Sequence, residues 1–261
     1  MFEPLETLPR IDTTESLAGG AGVVDLWWYS YTEPADRGLE RLATCLTADE
    51  WARHDRFVFP RDRFLFLATR VLSRHVLSRY APVAPAAWRF ASNAHGKPCV
   101  ISPHLGRRLC FNLSNSHGLV ACAVSVAHVA VGVDVELVRD SDELVLLWDQ
   151  YFSPQETRTL RAVARAGQTE RFFAYWTLKE SYIKARGLGL ALPLDRFSFL
   201  LDDGPAIGIA FDPALGDAPA RWQFSLLRAG QTHLAAVGVD SGGAPLSLRA
   251  ERWSPETRVP I

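Results

Sequence analysis

A single glutamate lies among aromatic residues in the segment FFAYWTLKESYIKARGLGL, residues 172–190. On a helical wheel Glu180 falls inside the apolar stripe that contains Phe172 and Trp176. Because removing an ionised carboxylate from water costs several kcal/mol, Glu180 needs a cation beside it. Lys184, one helical turn later, is one candidate and a metal ion is another. Taken alone, Glu180 and Lys184 are also compatible with an ordinary surface ion pair.

Two more carboxylates alternate along the segment VAVGVDVELV, which has the pattern of a β-strand. Its valines share one face, which leaves Gly132, Asp134 and Glu136 on the other. The two carboxylates then lie about 6.6–7 Å apart at their Cα atoms, and they repel each other unless a cation lies between them. A solvated sheet face is the alternative. With Glu180 they form an oxygen-only set that suits Mg²⁺ or Mn²⁺, and Mg²⁺ usually completes its coordination with water and substrate phosphates.

Basic and polar residues that could bind a phosphate accompany these carboxylates. Lys179 and Lys184 belong to the segment of Glu180, and the turn HGKP presents Lys97. The segment FNLSNSHG, residues 111–118, ends a strand in hydroxyl and amide groups that can donate to phosphate oxygens. The sequence therefore predicts a phosphate-bearing substrate.

The elements that would position these residues indicate an α+β protein. Besides the helix of Glu180, helices are predicted at 46–57, at 60–80 and at 153–167, the last one closed by Gly167. Strands are predicted at 23–30, within 110–138, and in three alternating segments after Phe197.

A weak internal repeat supports a two-part organisation. The windows 62–73 and 170–181 share an acidic residue, Arg and Phe, followed by Thr and Ser at the same spacing. Each window follows a strand that carries an aspartate, Asp25 or Asp134. The repeat predicts two similar halves, residues 1–127 and 128–261, although matches of this length also arise by chance.

Composition excludes several classes of protein. The 261 residues are 48% hydrophobic, and 28 basic residues nearly balance 29 acidic ones, so neither nucleic acid nor a membrane surface is an expected partner. The first sixteen residues lack the basic start and apolar run of a secretory signal, so we expect a cytoplasmic protein. Four cysteines without metal-ligand spacing are expected to be reduced thiols.

In this order and spacing, the motifs resemble those of the Sfp-type (surfactin-synthetase-type) 4′-phosphopantetheinyl transferases. The matching segments are GKP at 96–98, FNLSNS at 111–116, VGVDVE at 131–136, FFAYWTLKESYIKARGLGL at 172–190 and the following LPLDRFSF. The resemblance implies an α+β fold of two pseudo-twofold-related halves with the active site in the cleft between them. It also implies Mg²⁺-dependent transfer of phosphopantetheine from coenzyme A to a serine of an acyl or peptidyl carrier protein, with release of 3′,5′-adenosine bisphosphate. We expect a monomer.

The resemblance also implies roles for the acidic residues. Asp134, Glu136 and Glu180 would bind the metal, with Mg²⁺ expected and Mn²⁺ as the alternative, and Lys184 would neutralise charge on the phosphoryl group. Glu180, Glu136 or a bound water would accept the serine proton. The catalytic residues implied are therefore Glu180, Lys184 and Glu136.

Eight residues are predicted to contact coenzyme A. Lys97 and Arg53 match positions for adenine and the 3′-phosphate, and Ser114 with Asn115 matches the pyrophosphate pair. The family commonly has His where this chain has Asn115, and an amide can donate a hydrogen bond but carries no charge. The other predicted contacts are Arg63 and Arg70 on one helical face, Lys179, and His117, which could instead be a solvent-facing turn residue.

Carrier proteins of this family are acidic around the modified serine, and the segment 139–153 offers apolar docking through Leu144, Leu147 and Trp148. Two other functions are compatible with the motifs. One is a catalytically silent module that binds coenzyme A or a carrier protein, and the other is a Mg²⁺-dependent phosphodiesterase that uses water instead of serine.

Overall fold

The computed structural model of the protein describes residues 2–11, 22–32, 35–106, 108–126, 130–140, 144–201 and 206–256, without the side chains of 145 and 146. The strands in these ranges are β1 (Glu3–Pro4), β2 (Val23–Ser30), β3 (Arg89–Ser92), β4 (Pro98–Ser102), β5 (Cys110–Ser116), β6 (Leu119–Ser125), β7 (Val131–Leu137), β8 (Phe197–Leu200), β9 (Gly208–Phe211), β10 (Trp222–Ala229), β11 (His233–Asp240) and β12 (Ser247–Arg252). The α-helices are α1 (Arg37–Leu42), α2 (Ala48–His54), α3 (Pro60–Leu77), α4 (Leu144–Tyr151), α5 (Pro154–Ala162) and α6 (Arg165–Arg186).

Two four-stranded sheets form the centre of the molecule. Their strand orders are β12-β2-β6-β5 and β1-β10-β11-β7. Alternate residues on the inner faces are small or branched and apolar, such as Val24 and Leu26 on β2 and Val133 and Val135 on β7, and they form one buried cluster between the sheets. The predicted valine face of β7 is confirmed, because these valines are almost completely buried.

Each sheet carries one long helix on its outer face. Helix α3 packs on β6 and β5, and α6 packs on β7 and β11. In both cases the chain runs from a strand (β2 or β7) to the long helix and then to two antiparallel strands, β5 and β6 or β10 and β11. The α+β class and the two similar halves predicted from the sequence are therefore confirmed. The predicted boundary between residues 127 and 128 lies outside the described residues and stays a prediction.

Local sequence signals explain most element ends. Pro60 begins α3, and Thr47 and Ser153 cap α2 and α5 through capping boxes with a glutamate three residues later. The prediction that Gly167 closes a helix was wrong. Helix α5 ends at Ala162, and Gly167 lies in the first turn of α6, where N–H groups lack full helical partners and a glycine costs little. None of the helices within the described ranges is long and apolar enough to span a membrane.

Candidate active site

Strand β7 and helix α6 approach each other closely at a glycine. A Cβ atom on Gly132 would lie 2.0 Å from the Ser181 carbonyl oxygen and 2.4 Å from the Ala185 nitrogen, so only glycine fits there. The next residue on this face of the strand, Asp134, therefore lies against the last turns of α6 and meets Lys184.

Asp134 is 3% exposed, and its two oxygens have different surroundings. Oδ1 accepts hydrogen bonds from Lys184 Nζ at 2.6 Å and from Ser114 Oγ at 2.9 Å. Oδ2 is buried and has no hydrogen-bond partner among the described residues. Burial raises the pKa of Asp134, whereas the Lys184 ammonium acts in the opposite direction. A buried carboxylate oxygen without a partner is costly, which marks Oδ2 as a candidate ligand atom.

Glu136 and Glu180 join Asp134 and are partly buried. Glu136 accepts a hydrogen bond from Trp176 Nε1 at 3.1 Å and a long one from Ser116 Oγ at 3.5 Å. Burial, followed by the charge of Asp134, raises the pKa of Glu136 to about 7. The same two causes, in the same order, raise the pKa of Glu180. The carboxylates thus repel one another, as the sequence predicted, and the site lacks sufficient positive charge.

The chemistry of these groups fits a hard divalent cation, although they are not arranged around one. Within the described part of the chain, no group of three or more His, Cys, Asp or Glu side chains stands ready to hold a metal ion. The unpartnered Oδ2 of Asp134 and the raised pKa values of Glu136 and Glu180 are nevertheless features that a bound cation would relieve. Oxygen-only donors favour Mg²⁺ or Mn²⁺ over zinc.

Strand β5 joins the two sheets through its side chains instead of its backbone. The N–H groups of three alternate β7 residues donate to side-chain oxygens of three alternate β5 residues. These bonds are Val133 N to Asn112 Oδ1 at 2.9 Å, Val135 N to Ser114 Oγ at 3.2 Å and Leu137 N to Ser116 Oγ at 3.2 Å. They hold Ser114 in contact with Asp134 and Lys184. Sequence reasoning missed the roles of Asn112, Ser116 and Trp176, although the alternating polar residues of FNLSNS were the available signal.

The other side of β5 borders a cavity of about 950 Å³ rich in arginine. Leu113 lies in its wall, and Asn115 donates from Nδ2 to Thr69 Oγ1, another wall residue, at 3.1 Å. The arginines in the wall are Arg53, Arg70, Arg74 and Arg89. We call this space the arginine cavity. It and the carboxylates therefore lie on opposite sides of a single strand.

Three of these arginines differ in their contacts and in how far their charge is balanced. Arg74 is 1% exposed and fixed by Glu50 at 2.7 Å and by two backbone carbonyls. The Arg70 guanidinium is 3.8 Å from Glu50, and burial lowers its pKa. The guanidinium carbons of Arg53 and Arg70 lie 5.5 Å and 5.1 Å from the ring centre of Phe66. Two acidic residues, Asp49 and Glu50, thus share the cavity wall with four arginines, which leaves positive charge for an anionic ligand.

Six of the eight predicted coenzyme A contacts are not among the residues that line this cavity, namely Arg63, Lys97, Ser114, Asn115, His117 and Lys179. The Lys179 ammonium is fully buried, forms an ion pair with Glu156 at 2.7 Å and donates to the carbonyls of Leu194 and Phe197. Its prediction as a ligand contact was wrong, because all three of its N–H groups are engaged in the core. Arg63 donates to the Phe57 carbonyl at 2.9 Å and does not line the cavity.

Lys97 and His117 also lie outside the wall of the arginine cavity, and His117 has the solvent-facing turn position that was the alternative prediction. Lys97 Nζ donates to the carbonyls of Val131 and Ala185 and lines a separate, smaller cavity, although its neighbours Gly96 and Pro98 line the arginine cavity. His117 is exposed in the β5–β6 turn, with φ 27°, and its ring lies 3.4 Å from Ser116 Oγ.

The predicted docking face on the segment 139–153 also changes. Trp148 is 4% exposed and belongs to the core beneath α6, and Leu144 and Leu147 pack against the same cluster. Trp148 is therefore unavailable to a partner. The aromatic ring of Tyr151, at the end of α4, instead contacts Trp176 edge to face at 5.7 Å.

Comparisons with known proteins identify the class to which this fold and site belong. The 4′-phosphopantetheinyl transferase superfamily matches residues 130–238, and a 4′-phosphopantetheinyl transferase N-terminal region matches residues 30–127. The 4′-phosphopantetheinyl transferase HetI of Nostoc sp. (strain PCC 7120) is 38% identical over 168 residues, which are 64% of this chain and 70% of that protein.

Two further relatives agree. The phosphopantetheinyl transferase of a Thraustochytrium species is 32% identical over 222 residues, 81% of this chain and 76% of its own length. The 4′-phosphopantetheinyl transferase Sfp of Bacillus subtilis (strain 168) is 32% identical over 170 residues, 65% of this chain and 73% of its own. The chain belongs to the 4′-phosphopantetheinyl transferase family, as its motifs predicted.

Proposed function

We propose that this transferase moves the 4′-phosphopantetheine group of coenzyme A to a serine of an acyl or peptidyl carrier protein with the aid of Mg²⁺. The observation that supports this most is the cluster of Asp134, Glu136, Glu180 and Lys184, separated from the arginine cavity by one strand. A substrate with an anionic nucleotide at one end and a pyrophosphate further along matches that arrangement.

Coenzyme A binding would begin in the arginine cavity. Arg53 and Arg70 have unbalanced charge there and suit the nucleotide phosphate, because planar guanidinium groups bind phosphate through paired hydrogen bonds. Asn115 lies on the strand between the two sites, and its exposed amide retains a second N–H beyond the one bonded to Thr69. That N–H can donate to the pyrophosphate.

The carboxylates would act at the pyrophosphate. Asp134, through its unpartnered Oδ2, would hold the metal with Glu136 and Glu180, and when bound the ion would supply positive charge against the pyrophosphate oxygens. Lys184, fixed by Asp134 and Ser114, would stabilise charge that develops on the leaving oxygen.

The transfer forms a bond from the serine oxygen to the β-phosphorus and breaks the bond from that phosphorus to the bridging oxygen. The bridging oxygen leaves with the bonding electrons as part of 3′,5′-adenosine bisphosphate, and the serine proton passes to a carboxylate. Glu136 already accepts hydrogen bonds from Trp176 and Ser116, whereas the Glu180 carboxylate accepts none from the described residues. Glu180 is therefore the better acceptor for this proton.

One experiment separates this function from a silent binding module and from a phosphodiesterase. The protein is incubated with coenzyme A, Mg²⁺ and an apo carrier protein, and the carrier is then weighed by mass spectrometry. A carrier whose modified serine is replaced by alanine is the control. Transfer predicts one added phosphopantetheine on the serine carrier alone. Coenzyme A cleavage with an unmodified carrier would favour the phosphodiesterase, and intact coenzyme A would favour the binding module.

A further inference from the structure

The chain has three lysines, and one of them, Lys97, contacts both strand β7 and helix α6, the two elements that carry the carboxylates. Lys97 belongs to the turn between β3 and β4, yet its ammonium donates to the Ala185 carbonyl of α6 at 2.8 Å and to the Val131 carbonyl of β7 at 3.1 Å. The side chain is partly buried, and burial lowers its pKa to about 8. A lysine in this position supplies donors to carbonyls that a helix end otherwise leaves unpaired.

A second residue of the same turn makes the same kind of contact. Asn93 Nδ2 donates to the Gly187 carbonyl at 2.7 Å, while its Oδ1 accepts from the backbone N–H groups of His95 and Lys97. Gly187 ends α6 in a left-handed conformation with φ 66°, and a Cβ there would lie 3.0 Å from Lys97 Cδ. The β3–β4 turn is thus fitted to the C-terminal end of α6.

The two carbonyls that Lys97 binds lie close in sequence to the reacting groups. Val131 precedes Asp134 by three residues, and Ala185 directly follows Lys184. One ammonium therefore fixes the end of α6 against the start of β7. Close to these contacts, Lys184 Nζ lies 2.6 Å from Asp134 Oδ1. A displacement of α6 along β7 would change that distance directly.

We propose that Lys97 is a positioning residue, which holds the last turn of α6 on β7 so that Lys184 and the carboxylates keep their arrangement. This inference rests on the proposed function, and it replaces the nucleotide contact that the motif resemblance implied for Lys97. The geometry supports positioning because Lys97 lines a cavity of about 430 Å³ that is separate from the arginine cavity.

The test compares binding with turnover in the variant Lys97→Met, which keeps most of the aliphatic chain and removes the donors. Positioning predicts a kcat for carrier modification that is about tenfold lower or more, since small misplacements of reacting groups have large rate effects. It also predicts little change in the Kd for coenzyme A. This Kd is measured by calorimetry in proteins that also carry Asp134→Ala, which prevents turnover. The value with Lys97→Met should stay within about twofold of the value with Lys97 retained.

Three variants serve as controls and comparisons. Arg108→Met removes an exposed cation that lines the same small cavity and should leave kcat and Kd unchanged. Arg53→Ala, in the arginine cavity, should weaken coenzyme A binding with little effect on kcat. Lys97→Arg retains a cation and donors and should recover part of the lost kcat. If Lys97→Met does not fold, Lys97→Arg is tested in its place, and its kcat should fall without a change in Kd.

Hydrogen exchange separates this inference from the proposed function, because it needs neither coenzyme A nor a carrier. The Gly187 N–H donates to the Ile183 carbonyl at 2.9 Å and should exchange faster in Lys97→Met than in the wild type or Arg108→Met. Unchanged exchange at Gly187, or a Kd for coenzyme A raised about tenfold, would overturn the positioning role. Failure of the wild type to modify any carrier, with faster exchange in the variant, would instead overturn the proposed function alone.

Discussion

The two long helices and the strands before them build the same frame twice, and only the second copy carries the cluster of three carboxylates and Lys184. Thr69 on α3 and Thr177 on α6 both donate to the carbonyl four residues earlier, at 2.8 Å and 2.6 Å. Ser73 and Ser181 both donate to the carbonyl three residues earlier. These pairs have the same separation in sequence, so the local geometry of the two helices matches residue by residue.

The aspartates of the two copies differ in what surrounds them. Asp25 on β2 has both oxygens engaged, Oδ1 by Arg249 at 2.8 Å and Oδ2 by the Tyr80 hydroxyl at 2.7 Å. Asp134 on β7 has one oxygen engaged and one without a partner among the described residues. A carboxylate with partners at both oxygens stabilises the fold, whereas a carboxylate with one unpartnered oxygen can bind a ligand.

The neighbouring positions explain the rest of the difference. Where the second copy has Glu136, Glu180 and Lys184, the corresponding positions of the first copy are apolar and almost fully buried. These are Trp27, Leu72 and Val76. The shared fold therefore favours apolar core residues at these three positions. The site exists in the second copy because charged residues replace them there. The raised pKa values of Glu136 and Glu180 are the electrostatic consequence.

The largest effect should come from replacing each of the two aspartates by alanine in turn. Asp134→Ala should abolish carrier modification while the protein stays folded, because it removes a hard oxygen ligand and leaves Lys184 in contact with solvent. Asp25→Ala should break a buried ion pair with Arg249 and lower the free energy of unfolding by about 3–5 kcal/mol, with normal activity per folded molecule. Mass spectrometry of the carrier and urea unfolding measure the two outcomes. Full turnover by Asp134→Ala at limiting Mg²⁺ would refute the distinction.

Glu180 offers a sharper version of the comparison, because two substitutions separate charge from packing. Glu180→Gln keeps the shape and should lower kcat by at least about 10²-fold, the lower end of a general-base effect. Glu180→Leu copies the first half, in which Leu72 occupies the matching position, and should be as inactive but more resistant to heat without metal. A Glu180→Gln rate close to that of the wild type would assign the proton to Glu136 or to water.

Sequence patterns predicted the frame and the carboxylates, but not the contacts between the halves. Strands β2, β5, β6, β7, β8, β10 and β11 and the starts of α2 and α3 follow from alternation and capping residues, whereas β1, β3, β4, β9 and β12 were not predicted. Asp134, Glu136 and Glu180 follow from motif spacing. Lys179 could not be assigned correctly, because a lysine looks the same in sequence whether it faces a phosphate or backbone carbonyls. The carbonyls that it binds, those of Leu194 and Phe197, lie 15 and 18 residues away in the chain.

The dependence of stability on pH should show how much the carboxylates of the second copy destabilise the fold. Glu136 binds a proton more tightly in the folded protein, where its pKa is about 7, than in the unfolded chain, where a glutamate has its ordinary pKa near 4.5. Its contribution to stability is therefore full below about pH 4.5 and is lost as the pH rises through 7.

Glu136→Gln should consequently stabilise the metal-free protein at pH 8 by on the order of 1–2 kcal/mol, and change it little at pH 4.5, after allowance for remaining solvent contact. Urea unfolding with a chelator measures both values. Adding Mg²⁺ should stabilise the wild type more than the variant at pH 8. Equal stability of both proteins at the two pH values would mean that the carboxylates do not repel one another as described.

The smallest effect concerns Asn115, which lies on the strand between the carboxylates and the arginine cavity and donates to Thr69. One of its two amide hydrogens is used on Thr69, so Asn115→Ala should weaken coenzyme A binding by only about tenfold, the value of one hydrogen bond to a charged group at its lower limit. Asn115→His should preserve binding at pH 7. His117→Ala should bind within about twofold of the wild type at both pH 6 and pH 8, because this exposed side chain lies near Ser116, away from the arginine cavity. Calorimetric titration of coenzyme A decides among them. A loss of affinity in His117→Ala that is confined to pH 6 would show that its imidazolium contributes charge to the ligand, and wild-type binding by Asn115→Ala would remove this strand end from the pyrophosphate site.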